Sequence, residues 1–410
     1  MSAAFDHAER PVGGPLWTGG MKILVALIVI ALATVVVRMF MGLGAVTALS
    51  DAYPWGIWKP LNVVTYTGIA AGAYAVGLLC YVFNKGEYHP FVRSAVMAGA
   101  MGYTLAGTSV VVDLGRWWNL WVVMWPPVYQ LNSVLLEVAI CVTLYMAVLW
   151  IECVPAVLEG IADSKYAVLR GLSAKYLPPM NKALPFIIAL AILLPTMHQS
   201  SLGGLYMITP TKLHPLWHTY WLPGLFLISC WTMGAGGVVL MEMLTTWIWP
   251  RRTDTAMLAK LMGVVRWGVV AYLVIRFADL FVTGRFAKAL AMPGKAFYFF
   301  WFALEIAANV AVVVLFSSEK KRRNLGVLFG GACLLVFAGA LYRFDTYLTG
   351  YMPQRPGAVY FPSFWEITNS IGWAAIGIAV YVVMVKRFPM LSGVVVKKDA
   401  RRTRVAALAN

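Results

Sequence analysis

The amino-acid sequence predicts an all-α polytopic membrane protein with about ten transmembrane helices, arranged as two four-helix bundles plus two flanking helices. Hydrophobic residues make up 61% of the 410 positions and charged residues only 12%, whereas charged residues are about a quarter of a typical soluble domain. The apolar residues also recur in blocks of roughly 20, the length that a helix needs to cross a bilayer. These observations exclude a water-soluble globular protein.

The predicted spans follow from these apolar runs, which are separated by polar or Gly- and Pro-containing segments. The first run is too long for the apolar region of a secretory signal peptide, so we expect it to stay in the protein as span 1. In chain order the ten predicted spans cover 21–43, 61–83, 94–114, 130–154, 183–203, 221–246, 261–283, 296–316, 325–342 and 367–387.

The positive charge of the chain lies in the loops and at the C-terminus. The formal net charge is +16, and 22 of the 33 lysines and arginines fall on the side that carries both termini. This bias predicts cytoplasmic termini in a bacterial inner membrane, and it explains the charge without nucleic-acid binding, which we exclude. The expected parts are a cytoplasmic N-terminal segment (1–20), the first span and a periplasmic loop (21–60), a first four-helix bundle (61–203), a second four-helix bundle (204–342), a periplasmic loop and the last span (343–390), and a basic cytoplasmic tail (391–410).

The loops on the opposite, periplasmic side are rich in Trp, Tyr and Pro. Such residues form either an aromatic belt at the membrane interface or a docking surface for another subunit, and the two interpretations are compatible. The aromatic segments are Tyr53–Trp58, Trp117 and Trp118, Trp121, Trp125–Pro127, His214–Trp217 and Tyr360–Pro362.

Charged side chains inside the spans are costly and therefore mark candidate functional sites. Asp113 with Arg116, and Arg276 with Asp279, stand three residues apart on a helix, so each pair is expected either to lock its helix by an ion pair or to belong to a site. In the second helix of each bundle an aspartate lies near the outer end, and a glutamate follows in the third helix. This spacing is a weak indication of a parallel duplication.

Glu137 and His198 have no charged partner three or four residues away and are candidates for a site that binds a polar head group and moves protons. Desolvation lets a buried glutamate hold a proton near neutral pH, and histidine titrates in the same range. Both lie in the periplasmic half of the predicted topology. Glu242 stands apart near the cytoplasmic end of span 6, either as an interfacial carboxylate or as the inner mouth of a proton path.

The histidines and cysteines predict no metal cofactor. A b-type haem in a membrane normally needs two facing histidines, and of the five histidines only His198 lies within a predicted span. The five cysteines form no CxxC pair, so no zinc or iron–sulfur site can be assigned to them. We therefore expect no haem and no iron–sulfur cluster in this chain.

Several short segments resemble the NrfD/PsrC family of quinone-interacting membrane subunits, and within it the subunits of periplasmic nickel–iron hydrogenases of the hydrogenase-2 type. The resemblance runs from about residue 21 to residue 390. The segments that carry it are PWGIW at 54–58, YVFNKGEYHP at 81–90, DLGRWWN at 113–119, NSVLLE at 132–137, LPTMHQSSLG at 194–203 and HPLW at 214–217.

This resemblance implies a ten-span subunit without a cofactor, whose substrate is menaquinone or ubiquinone. It assigns quinone and proton chemistry to Glu137, His198 and Glu242, with Asp113 and Arg116 close to the quinone. The implied partners are a periplasmic ferredoxin-like iron–sulfur subunit and the small and large hydrogenase subunits. Electrons from hydrogen would reach the quinone through the clusters of these partners, and the chain alone would have no hydrogenase activity.

Two alternatives remain open at this point. The chain can be the membrane subunit of another respiratory complex, such as a polysulfide or sulfite-type reductase or alternative complex III. A secondary transporter with buried acids is the alternative from a different class. Against it, the charges cluster toward one face and no pair of broken helices stands at matched midplane positions.

Overall fold

The computed structural model describes residues 8–355 and 357–395, and within them ten helices are long and apolar enough to cross a membrane. The predicted all-α architecture and number of spans are confirmed. His7 and most of the predicted basic tail lie outside the described residues. Spans 1 to 10 are Gly19–Met41, Trp58–Val82, Gly86–Asp113, Val134–Ile161, Ala167–Met207, Leu222–Ile248, Thr255–Val282, Lys295–Leu315, Leu325–Thr349 and Phe364–Arg387, with two short helices, Arg285–Ala291 and Glu319–Arg322, in loops between them.

Span 5 differs most from its prediction. Its helix has 41 residues, which corresponds to about 60 Å at 1.5 Å per residue, twice the hydrocarbon thickness of a bilayer. The sequence indicated only the apolar second half, because Arg170, Lys175 and Lys182 make the first half too polar for a membrane. This half extends the helix beyond the bilayer.

Three other span boundaries differ from the prediction and change the depth at which polar residues lie. Span 4 begins only at Val134, where the Ser133 side chain accepts from a first-turn amide, so Glu137 lies in the first turn and not two turns inside. Span 3 begins at Gly86, which puts His89 in its first turn and corrects the prediction that His198 is the one histidine within a span. Span 9 continues past Arg343 through a π-helical segment, so this arginine lies inside the span rather than at its end.

Span 2 is the most enclosed helix and lies between the two halves of the chain. It packs against spans 3 and 6, spans 4 and 5 pair along their length, and spans 6 to 9 pack on one another in a closed group. Spans 1 and 10 pair with each other and lie against span 3. We propose the division into two four-helix bundles on this packing.

Spans 2 and 6 cross at a pair of glycines. A Cβ atom on Gly234 would lie 2.7 Å from the backbone nitrogen of Gly72, and one on Gly72 would lie 3.0 Å from the carbonyl oxygen of Gly234. Only glycine at both positions permits this backbone contact. Spans 2 and 6 are therefore in backbone contact at this point.

The two ends of the described chain meet. Residues Glu9–Arg10 pair antiparallel with Leu391–Ser392, with Glu9 opposite Ser392. An even number of spans returns the chain to the side on which it started, and this pairing agrees with that. Both ends therefore lie at the same face of the helical assembly.

Candidate functional site

His198 forms the centre of a buried polar cluster between spans 3 and 5. Its side chain is fully buried, with Nδ1 2.8 Å from the carbonyl oxygen of Leu194 and Nε2 2.8 Å from the hydroxyl oxygen of Tyr103. A carbonyl only accepts, so Nδ1 carries the proton and a neutral imidazole accepts at Nε2 from Tyr103. The sequence did not identify Tyr103, because a tyrosine in an apolar helix carries no charge that would single it out.

Gln199 extends this cluster to the second half of the chain. Its amide nitrogen donates to the Tyr103 hydroxyl over 3.3 Å, and its amide oxygen accepts from Arg343 over 3.4 Å. The Arg343 guanidinium also donates to the carbonyl of Val64 over 3.0 Å and to the Ser229 hydroxyl over 3.1 Å. A fully buried cation thus lies one side chain away from the His198–Tyr103 pair.

Arg343 has no carboxylate within ion-pair distance among the described residues. A buried charge without a counter-ion is costly, and hydrogen bonds to neutral acceptors offset only part of that cost. Such a site favours negative charge that develops nearby during a reaction. The sequence does not reveal this environment, because the predicted span 9 ends at residue 342, directly before Arg343, whereas the guanidinium has its acceptors inside the protein.

Tyr145 on span 4 covers the other side of the histidine. Its ring lies 4.5 Å from that of Tyr103 and 5.9 Å from that of His198, measured between centroids. Its hydroxyl is buried and has no hydrogen-bond partner in the described part of the chain. An unpaired hydroxyl in a dry interior is available to a ligand that carries an acceptor.

Glu137 shares the helix face of Tyr145, since the two are eight residues apart and Cys141 lies between them. Eight residues correspond to about 12 Å along the helix, so Glu137 does not contact His198. The carboxyl is partly exposed and forms no ion pair or side-chain hydrogen bond within the described ranges. The structure therefore places the two predicted residues at different depths of one helix pair.

The predicted ion pair of Asp113 with Arg116 is wrong. Asp113 lies 2.7 Å from the ammonium of Lys59, while Arg116 is exposed. The helix ends at Asp113 and Leu114 is extended, so the spacing of three residues no longer brings the side chains onto one helical face.

The second predicted pair, Arg276 with Asp279, is also wrong, although both residues lie in span 7. The guanidinium of Arg276 lies 3.4 Å from Glu305 inside the bundle, and Asp279 lies 2.6 Å from Arg285 in the short helix beyond the span. Side chains three residues apart on one helix here point to different neighbours: Arg276 faces Glu305 inside the bundle, and Asp279 faces the short helix beyond the span.

Glu305 accepts three hydrogen bonds in this second buried cluster. The donors are the Trp217 indole at 2.9 Å, the Tyr272 hydroxyl at 2.5 Å and the Arg276 guanidinium at 3.4 Å. Trp217 and His214 are fully buried, so the predicted belt or docking role is wrong for these two residues. The tryptophans of the 117–125 segment are exposed and leave both interpretations open there.

Glu242 belongs to a third buried cluster, at the face that carries the chain ends. Its carboxylate lies 2.7 Å from the guanidinium of Arg251 and accepts from the hydroxyls of Ser94 at 2.7 Å and Thr253 at 3.0 Å. Both charged side chains are inaccessible to solvent. An interfacial carboxylate is therefore excluded, and the loop residue Arg251 is the partner that the sequence did not reveal.

Sequence reasoning also missed Glu152. The predicted end of span 4 at residue 154 put this carboxyl at the membrane surface, whereas the helix continues to Ile161. One carboxyl oxygen of Glu152 is buried without a hydrogen-bond partner among the described residues. The sequence feature that could have placed Glu152 inside the span is the run of apolar residues that follows this isolated acid.

Comparison with known proteins identifies the family. The family model described as "Polysulphide reductase, NrfD" matches residues 45–354, a range that contains the His198, Glu305 and Glu242 clusters.

The chain belongs to the NrfD family.

Three relatives show the range of this family. The chain is 34% identical over 94% of its length, and 96% of the relative, to the "Probable Ni/Fe-hydrogenase 2 b-type cytochrome subunit" of Escherichia coli K12. It is 28% identical over 58% of its length, and 57% of the relative, to the "Menaquinone reductase, integral membrane subunit" of Nitratidesulfovibrio vulgaris Hildenborough. It is 23% identical over 84% of its length, and 86% of the relative, to the "Hdr-like menaquinol oxidoreductase integral membrane subunit" of Archaeoglobus fulgidus. These names describe membrane subunits of redox complexes.

Proposed function

We propose that this NrfD-family chain is the quinone-reactive membrane subunit of a respiratory nickel–iron hydrogenase complex in a bacterial inner membrane. The observation that carries this proposal is the similarity to the Escherichia coli hydrogenase 2 relative over 94% of the chain. The relatives named for menaquinone and menaquinol chemistry support a quinone as the substrate. The catalysis of hydrogen itself belongs to partner subunits.

The quinone head group would bind in the first four helices after span 1. Glu137 is partly exposed at the end of span 4 and exchanges protons there, with Asp113 and Arg116 at the same end of the bundle. The buried pair of His198 and Tyr103 holds or releases a proton toward a quinone oxygen. The unpaired hydroxyl of Tyr145 supports a ligand with an acceptor oxygen between these two levels.

The charge of Arg343 supports redox chemistry at this place. A quinone that takes up electrons before protons gains negative charge, and a desolvated guanidinium stabilises such charge without reorganising water. Gln199 connects the guanidinium to Tyr103, so the proton donor and the cation act on one location. We further propose that Glu242 lies on a proton path toward this site, so that quinone chemistry is coupled to proton translocation.

The partners would be a ferredoxin-like iron–sulfur subunit and the hydrogenase small and large subunits. The exposed indoles of Trp118, Trp121 and Trp125 lie on the proposed periplasmic side and form a surface suited to the first of these. Both termini are then cytoplasmic. The bundle needs neither haem nor iron–sulfur ligands for this function.

The test has two parts. Affinity purification from mild detergent should recover a nickel–iron subunit with the chain, and Glu137→Gln should abolish hydrogen-dependent quinone reduction while an artificial dye is still reduced by the complex. Glu319→Gln, which removes an exposed carboxyl in a loop, is the matched control and should have wild-type activity.

Three outcomes would contradict the proposal. A different reductase subunit in the purified complex would assign the chain to another respiratory complex. A chain that is stable alone and recovered without redox partners would favour the transporter. Normal quinone turnover in Glu137→Gln would remove Glu137 from the site.

A further inference from the structure

A deep apolar cavity lies between spans 2, 6 and 7, away from the three clusters described above. Its volume is about 760 Å³, and it reaches from Lys85 and Glu87, at the start of span 3, to Trp231 in span 6 and Ala271 in span 7. None of the residues of the His198 cluster lines it. The proposed quinone chemistry therefore does not account for this space.

The length of the cavity matches one leaflet of a membrane. Along span 7 its wall runs from Lys260 to Ala271, eleven residues or about 16 Å at 1.5 Å per residue. Half of a hydrocarbon core of ~30 Å is nearly the same distance. The cavity thus reaches from one membrane face to the midplane, as a lipid acyl chain does.

The inner wall is formed by apolar side chains and by two glycines of span 7. A Cβ atom on Gly268 would lie 2.8 Å from the Trp231 ring, and one on Gly263 would lie 3.0 Å from the Arg322 guanidinium. These glycines bring the ring and the guanidinium up to span 7. The apolar lining includes Leu78, Leu79, Phe83, Leu227, Ile228 and Val264.

The mouth of the cavity is positively charged. Lys85, Lys260 and Arg322 line it with one carboxylate, Glu87, which lies 3.3 Å from Lys260. Lys85 is exposed and has no carboxylate within ion-pair distance among the described residues. Among the described residues Arg322 has no carboxylate within this distance either and donates to the carbonyls of Ala259 and Phe316, so two of the three cations lack an ion-pair partner there. This charge fits a phosphate above an acyl chain, whereas a quinone has an uncharged head.

We propose that this cavity binds one acidic glycerophospholipid. Its phosphate lies at Lys85, Lys260 and Arg322, and one acyl chain follows span 7 to Trp231. Because spans 2, 6 and 7 come from both halves of the chain, the lipid fills the contact between the halves on the face that carries the chain ends.

The test is native mass spectrometry of the detergent-purified complex titrated with phosphatidylglycerol or phosphatidylethanolamine. Wild-type protein should retain phosphatidylglycerol more tightly. Each lysine near an acidic head group contributes about fivefold in affinity, so Lys85→Gln with Lys260→Gln should weaken phosphatidylglycerol binding about 25-fold. Phosphatidylethanolamine, whose phosphate charge is offset by its own ammonium, should be weakened much less. Val264→Trp fills the lipid-facing wall and should weaken both lipids.

The matched control is Lys288→Gln with Lys295→Gln, which removes two exposed charges beyond the other end of span 7 and should bind like wild type. All variants should keep the thermal midpoint of the wild type in detergent, which separates lost binding from lost folding. Equal retention of the two lipids by the wild type, or bound quinone in place of phospholipid, would overturn the proposal. An unchanged affinity in the double lysine variant would do the same.

Discussion

The hydroxyl of Tyr103 donates to Nε2 of His198 over 2.8 Å and thereby joins spans 3 and 5 inside the bundle. Since Nδ1 of the same ring faces the carbonyl of Leu194, Nε2 is the one acceptor that the imidazole offers. Two groups contact this nitrogen, the Tyr103 hydroxyl at 2.8 Å and the Gln199 amide nitrogen at 3.3 Å, and of these the hydroxyl is the one suited to give or take a proton. Histidine and tyrosine form one functional unit in this arrangement.

Tyr103→Phe should therefore impair quinone reduction as strongly as His198→Ala. A positioned acid–base group contributes about 10²- to 10⁴-fold in rate, so we expect hydrogen-dependent quinone reduction to fall at least about 100-fold while dye reduction by the complex is kept. Tyr206→Phe is the control, because the buried Tyr206 hydroxyl has no hydrogen-bond partner in the described structure. Wild-type quinone turnover in Tyr103→Phe would give this tyrosine a packing role.

The stability of the loop before span 6 should depend on the protonation of His214. Burial lowers the pKa of His214 to about 4, below about 6.5 in an unfolded chain. Below pH 6.5 the imidazole is protonated in the unfolded chain but stays neutral in the folded protein. The free energy of unfolding therefore decreases as the pH falls from about 6.5 to 4, by about 3 kcal/mol in total. Consistent with a neutral ring, Nδ1 accepts from the Leu216 amide.

The measurement is the thermal midpoint of His214→Asn relative to wild type between pH 4.5 and 8. Asparagine keeps a hydrogen-bond acceptor on a shorter side chain but does not titrate. The thermal midpoint of the variant should therefore lie below that of the wild type at pH 8, and this difference should become smaller as the pH falls. A difference between wild type and His214→Asn that is constant with pH would mean that His214 titrates normally.

The number and approximate positions of the spans follow from sequence because hydrocarbon thickness imposes a length that composition reveals. Which charged side chains form ion pairs with each other does not follow from the sequence. The ion pair of Asp113 and Lys59 joins residues that are 54 positions apart. Glu242 forms its ion pair with Arg251, which lies in a loop whose structure the hydropathy pattern does not predict. The apolar run of predicted span 9 ends at residue 342, which put Arg343 at the span end, whereas neutral acceptors hold it inside the bundle.

The topology is open to a direct measurement. The pairing of Glu9–Arg10 with Leu391–Ser392 puts both described ends on one side, and the distribution of lysine and arginine predicts that this side is cytoplasmic. Reporter fusions after residue 20 and after residue 405 should both show cytoplasmic-type activity. Periplasmic-type activity at both ends would invert the orientation, and opposite results at the two ends would contradict ten spans.

The purified subunit should show no haem spectrum. His198 uses both ring nitrogens in hydrogen bonds, and His214 stacks on Tyr298 with ring centroids 4.0 Å apart. The His198 ring is therefore not free to coordinate iron without rearrangement of its cluster. A stoichiometric Soret and reduced α-band that His198→Ala abolishes would contradict this expectation, and the words "b-type cytochrome" in the name of the relative make the measurement necessary.

The buried pair of Glu242 and Arg251 separates a structural role from a role in proton transfer. Glu242→Gln leaves Arg251 as an unpaired charge in the protein interior, which should cost about 3 kcal/mol or more and lower the thermal midpoint. Combining Glu242→Gln with Arg251→Met removes the charge of both partners, so stability should recover relative to the single variant. The double variant therefore has a sound fold but no titratable group at residue 242.

Hydrogen evolution from quinol in energised vesicles is then the deciding measurement. If Glu242 lies on the proton path, the double variant should evolve hydrogen more slowly than the wild type, and an uncoupler should no longer affect its rate, because protons cannot reach the quinone site from the face that carries the chain ends. Wild-type rates and uncoupler sensitivity in the stable double variant would show that the Glu242–Arg251 pair only holds span 6 to the loop behind it. The single variant cannot make this distinction, since a destabilised bundle would lower the rate for either reason.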